Sequence, residues 1–104
     1  MKCFLCPNKD FLEKEIHESH DIPKYIGGTD KEGRHHLCKQ HHTFYDTLLL
    51  KRFLKVVGIE WSEDYCWEEI AQLQKEISKL KQLHPKFREI AKKIKEVVFD
   101  GREI

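Results

Sequence analysis

From Lys39 to Val57 the apolar residues Phe44, Leu48, Leu49, Phe53, Leu54 and Val57 recur at steps of three and four. That period puts them on one face of a helix, and Gly58 stands where a helix often ends. Residues 62–99 carry a second helical pattern. Ser62 fits as its N-cap, with Glu63 and Asp64 near the positive end of the helix dipole. A seven-residue apolar spacing follows, through Ile70, Leu73, Ile77 and Leu80, then Phe87, Ile90, Ile94 and Val97. Such a stripe needs a partner helix. Pro85 lacks an amide hydrogen and disfavours helical geometry at His84, so the segment is either a hairpin of two helices or one kinked coiled-coil helix. Residues 1–38 show no helical period. Pro7, Pro23, Gly27-Gly28 and Gly33 break them into short pieces, from which two strands are expected, near 15–21 and 34–37. The expectation is an α+β chain: a small unit over residues 1–58 and a mostly helical extension over 59–104. The apolar stripe of that extension either packs within the chain or forms a homodimer through Ile70, Leu73, Ile77, Leu80, Ile90 and Ile94.

Composition narrows the class. The chain has 104 residues, 39% of them hydrophobic and 36% charged, enough for one modest core beneath a charged surface. No apolar run approaches the roughly 18 residues of a membrane span, and the first residues lack the core of a signal peptide, so a cytoplasmic location is expected. With 19 basic and 18 acidic side chains the net charge is +1. With no strongly basic domain, a nuclease would need a local basic patch, metal ions offsetting its carboxylates, or oligomerisation to gather enough phosphate contacts.

The chemistry is concentrated at one end. Six of the seven histidines and three of the four cysteines lie in residues 3–42. Cys3-x-x-Cys6 and Cys38-x-x-His41 each place two metal donors on a single turn, and two such clips complete the tetrahedron that Zn2+ favours. Disulfides are the weaker reading, because cytosolic thiols stay reduced and Cys66 lies far away. The fourth ligand is His41 or its neighbour His42; the two-residue gap matching the first clip favours His41. A structural zinc here would order strands that have no core of their own. Cys66, between Tyr65 and Trp67, reads as a small buried hydrophobe without a function.

His17, His20, His35, His36 and His42 remain outside the clips. The succession Cys3-x-x-Cys6, Ser19-His20-Asp21-Ile22-Pro23, Gly27-Gly28 and Leu37-Cys38-x-x-His41-His42 resembles the zinc-bearing form of the HNH endonuclease family over about residues 3–46. The resemblance implies a ββα-metal fold in which a hairpin and a helix hold a catalytic divalent ion beside the structural zinc. It places His20 where the family has its general base and His42 where it has a helix-borne metal ligand, with Asp46 one turn further on the same face. Mg2+, Mn2+ or Zn2+ would then stabilise charge on the reacting phosphate while His20 takes a proton from water. Ser19 stands where the family has an Asp or His ligand, and Gly33 where it has Asn. A slip of one residue would instead make His20 the ligand, beside Asp21. The implied activity is divalent-ion-dependent hydrolysis of DNA phosphodiesters, with Lys24, Lys31, Arg34 and Lys39 on the backbone and little sequence preference. The alternative is a zinc-stabilised module of the same fold that binds DNA or a protein without cutting.

Overall fold

The structure is a computed structural model that describes residues 1–80 and 86–100. Among the described residues, four strands and three α-helices follow one another as two small hairpins and a helical layer. β1 (Lys2–Cys3) pairs antiparallel with β2 (Cys6–Asp10), setting Cys3 opposite Cys6. The sequence gives no sign of this hairpin: Cys6-Pro7-Asn8-Lys9-Asp10 has no apolar alternation, and most of it is exposed. Its backbone is tied down instead, with Phe4 N–H donating to His36 O at 2.9 Å and Phe11 N–H to Met1 O at 2.9 Å.

β3 (Ile16–His20) and β4 (Arg34–Cys38) form the second hairpin, in register from Ile16↔Cys38 to His20↔Arg34. Both strands lie where the sequence places them. Period-two alternation sorts their side chains. His17, Ser19, His35 and Leu37 face inward, and Ser19 and Leu37 are buried. Glu18, His20, Arg34 and His36 take the outer face, where Glu18 pairs with Arg34 at 3.1 Å and His36 at 3.6 Å.

α1 (Lys39–Val56) follows β4 directly and crosses the inner face of that hairpin, and Gly58 takes φ +80 beyond its end. Its buried residues are Tyr45, Leu49, Leu50, Phe53 and Leu54. The face is therefore rotated from the expected one. Phe44 is 51% exposed and Leu48 half-buried, because Tyr45 is drawn inward to donate its hydroxyl to the backbone oxygen of Asp21 at 2.7 Å.

α2 (Trp67–Leu80) begins later than expected. Ser62 does not cap it; its hydroxyl accepts from Asp64 N–H at 3.2 Å in a separate turn. Cys66 is exposed rather than buried, its thiol donating to Glu69 Oε1 at 3.2 Å, since it precedes the helix and lies off its apolar face. α3 (Lys86–Lys95) continues into a π-helical turn, Glu96–Asp100. The expected break at His84 and Pro85 lies outside the described residues. Ile77 and Phe87 are buried, and Ile70, Leu73, Leu80, Ile90 and Ile94 pack partly buried against the same core, which crosses Gly58 to include Leu37, Leu49 and Phe53. Val97 is 75% exposed, so the stripe is not buried to its end. Among the described residues no helix is long and apolar enough to cross a membrane.

α3 is fastened to the loop between β3 and β4. Arg88 donates to Gly27 O at 2.9 Å and to the Glu32 carboxylate, and Lys95 donates to Glu32 O at 2.8 Å. Burial pushes the Glu32 carboxyl up, but Arg88 and the Thr29 amide and hydroxyl outweigh it and hold it below the ordinary range. The ionised form is thus favoured by folding, so this clamp contributes above the unfolded carboxyl pKa of about 4.3 and is lost as pH falls through the lower folded value. Arg88 is itself 42% exposed, which screens the pair to about 1 kcal/mol. Arg88→Ala should lower Tm by about 5 °C at pH 7, with the gap from wild type narrowing as pH falls below the ordinary carboxylate range in matched thermal melts.

Candidate metal centre

The β1–β2 turn supplies Cys3 and Cys6. Cys38 closes β4 as the N-cap residue of α1, and His41 follows in the first helical turn. The ligand atoms of Cys3, Cys6, Cys38 and His41 all lie within 4.8 Å of one another, so the four can hold a metal ion. His41 Nδ1 is 3.4 Å from Cys3 Sγ, 3.5 Å from Cys6 Sγ and 3.2 Å from Cys38 Sγ, and the Cys6 and Cys38 sulfurs are 4.0 Å apart. A tetrahedral zinc with ordinary bond lengths has edges of about 3.6 Å for S···N and about 3.8 Å for S···S. The donor set therefore fits in shape as well as kind. It is also a closed set, with Cys3 and Cys38 buried.

The electrostatics of the cluster call for a cation. Burial pushes the Cys3 thiol up, but backbone hydrogen bonds at Cys38 and Leu5 and side-chain bonds to Cys6 and His41 bring it down to about 6. Burial, then the hydrogen bonds and negative charge of Cys3 and Cys38, push Cys6 up to about 11. One thiolate forms readily and discourages the next, a repulsion that a divalent ion removes.

The geometry selects His41 over His42. His42 points elsewhere, with its Nε2 3.4 Å from Asp46 Oδ2 and its ring stacked on His17 at 5.5 Å between centroids. Burial pushes the Asp46 carboxyl up against the pull of His42. His20 is on the outer face of its hairpin, its Nε2 2.6 Å from Asp30 Oδ1, and that bond leads in holding the Asp30 carboxyl low. Thus His42 and Asp46 come together as expected, whereas His20 pairs with a residue the sequence did not single out. Among the described residues, His20, His42 and Asp46 do not gather into a metal-holding group; the Cys3, Cys6, Cys38 and His41 set alone does.

Ser19 and Asp21 are occupied by the fold. Ser19 is 2% exposed, and its hydroxyl has no hydrogen-bond partner among the described residues. Asp21 is 1% exposed and accepts from His35 Nδ1 at 2.6 Å through Oδ1. Its Oδ2 lies 3.3 Å from Lys95 Nζ, within ion-pair reach but not aligned as a hydrogen bond. Phe99 stacks on His35 at 3.9 Å, and Phe4 meets that ring edge-on at 4.6 Å. Asp21 is therefore a structural hub, and the one-residue slip that would free it for a metal has no room here. Gly33 explains itself in the same way: φ is +110, and a Cβ there would lie 2.5 Å from Asp21 Oδ2.

Beside the zinc-type cluster runs a groove of about 520 Å³, lined by Lys9, Lys14, Lys39, His17 and Phe11, with Glu15 its one acidic residue. Lys39 was expected to meet phosphate; Lys9 and Lys14 were not, because only the folding of β2 and of the helical turn Glu13–Glu15 brings them to the same groove. Arg34 is engaged by Glu18.

No protein-family model, curated protein or solved structure matches the chain.

Proposed function

We propose that this chain is a zinc-stabilised ββα module, HNH-like in design, that holds nucleic-acid phosphates without cutting them. The observation that carries the reading is the contrast between the two halves of the expected machinery. The four zinc donors converge at tetrahedral spacing, while the position preceding His20 is a buried serine and the position of the family's Asn is a glycine pressed against Asp21. The basic groove of Lys9, Lys14 and Lys39 supports a backbone-binding role. A second reading, a divalent-ion-dependent nuclease using His20 as base and Mg2+ or a similar ion on His42 and Asp46, is favoured by the 3.4 Å His42–Asp46 pair and by the carboxylate that orients His20.

One assay separates them. Supercoiled plasmid is incubated with protein and Mg2+, Mn2+, Ni2+ or Zn2+, and a labelled duplex is titrated in parallel. The module shifts the duplex and leaves the plasmid supercoiled. Three phosphate contacts would cost roughly 40-fold in affinity between about 50 and 200 mM salt. Combined Lys9→Glu, Lys14→Glu and Lys39→Glu substitution should abolish the shift. Divalent-dependent relaxation that disappears in His20→Ala would establish the nuclease, and failure both to bind and to cut would dismiss both readings.

A further inference from the structure

The rotation of α1 that buries Tyr45 leaves another row of its side chains uncovered. Phe44, Leu48, Arg52 and Val56 follow at four-residue steps, a ridge about 18 Å long. Alongside it lie α3 and the turn after it. Leu48, Val56, Ile90, Ile94 and Val97 floor a groove of about 660 Å³ between the two, with Val97 75% and Val56 36% exposed. Apolar surface of this kind, gathered in one channel, marks a contact site more often than an accident of packing.

The rim has one sign. Arg52, Lys55 and Lys93 line the groove, and among the described residues no acidic one does. None of the three meets a carboxylate among the described residues, although neighbouring cations do: Lys51 pairs with Glu63 at 3.6 Å and Lys95 with Asp21. An isologous contact between two copies would set this rim against itself. Duplex nucleic acid would find its phosphates matched but would leave the apolar floor against water. A helix with an apolar face and acidic flanks satisfies both features, and about 18 Å accommodates roughly three of its turns.

From this complementarity we infer that the α1–α3 groove docks an acidic amphipathic helix of a partner protein, at a surface separate from the groove beside the metal centre. The apolar face of that helix lies on Leu48, Ile90, Ile94 and Val97, and its carboxylates meet Arg52, Lys55 and Lys93.

The test uses the full chain, zinc-loaded, and a fluorescein-labelled helical peptide of about 14 residues with leucine along one face and glutamate along its flanks. A matched peptide carries lysine in place of glutamate. Fluorescence anisotropy should show saturable binding of the acidic peptide and at least ten-fold weaker binding of the basic one. Val97→Asp, and separately the triple charge reversal Arg52→Glu, Lys55→Glu and Lys93→Glu, should each weaken binding ten-fold or more. These side chains are exposed, so melting temperature and zinc content should stay as in wild type. The inference is overturned if the acidic peptide does not bind or if the two peptides bind equally. It is also overturned if the groove instead takes duplex DNA, whose binding the Arg52→Glu, Lys55→Glu and Lys93→Glu reversal would abolish while the Lys9→Glu, Lys14→Glu and Lys39→Glu reversal left it intact, or a second copy whose association Val97→Asp abolishes. Ten-fold tighter peptide binding by a chain ending at Asp100 would assign the groove to residues 101–104 and overturn it as well.

Discussion

Withholding the ion that Cys3, Cys6, Cys38 and His41 could hold is expected to unfold the first third of the chain. Residues 1–38 bury Cys3, Leu5, Ile22, Ile26, Leu37 and Cys38, two of which are cysteines of the metal cluster, while β2 is almost wholly exposed. What joins β1–β2 to α1 is the cluster of Cys3, Cys6, Cys38 and His41. A structural zinc contributes roughly 10 to 16 kcal/mol in small peptides, comparable with the entire stability of a typical domain at about 5 to 15 kcal/mol. Prolonged chelation should therefore abolish the dispersed amide resonances of residues 1–38 in a proton–nitrogen correlation spectrum, and stoichiometric Zn2+ should restore them. Cys38→Ser should show the same loss without chelator. Because thiolates and neutral imidazole bind the ion, chelators should act faster as pH falls. A metal-free chain that kept its full dispersion would show that the apolar contacts suffice.

The second large effect is expected at Asp21, which touches neither metal nor groove. Asp21→Ala leaves the His35 ring, the Lys95 ammonium and the inward face of Gly33 without their shared carboxylate. Because His35 and Lys95 are only partly buried, its loss costs about 3 kcal/mol, the low end for a buried charged pair. For a chain of this size that is a fall in Tm of roughly 15 °C or more. Gly33→Ala reaches the same hub from the other side, adding strain of about 1 to 3 kcal/mol at φ +110 to the displacement of Asp21 Oδ2. Gly33→Asn, which would restore the residue of the HNH pattern, should destabilise the chain as much and confer no cutting. Melts of the three variants decide it; an Asp21→Ala protein within a few degrees of wild type would remove the hub from the account.

What the sequence disclosed was what depends on near neighbours. Cys3-x-x-Cys6 and Cys38-x-x-His41 are legible because each clip is a local turn, and β3, β4 and α1 because periods of two and of three to four survive along them. Residues whose fate is set at a distance were not legible. Tyr45 displaces Phe44 from the buried face of α1 because a carbonyl in the β3–β4 loop needs its hydroxyl. Asp21 reads as a possible metal ligand until Lys95, from another helix, is seen beside it. Cys6–Asp10 becomes a strand with no propensity for one, held by its partner strand and by a cysteine at its start. Gly33 is a glycine for a reason that lies across the hairpin, where Asp21 leaves no room for a Cβ.

One ion, held by Cys3, Cys6, Cys38 and His41, is expected to organise the chain, with His42 taking no part in holding it. Metal analysis by inductively coupled plasma mass spectrometry of wild type, His41→Ala and His42→Ala after exhaustive dialysis measures this directly. The account predicts about one zinc per chain in wild type and in His42→Ala, and a marked loss in His41→Ala. Loss of zinc from His42→Ala with retention in His41→Ala, or wild-type protein that carries no zinc, would contradict it.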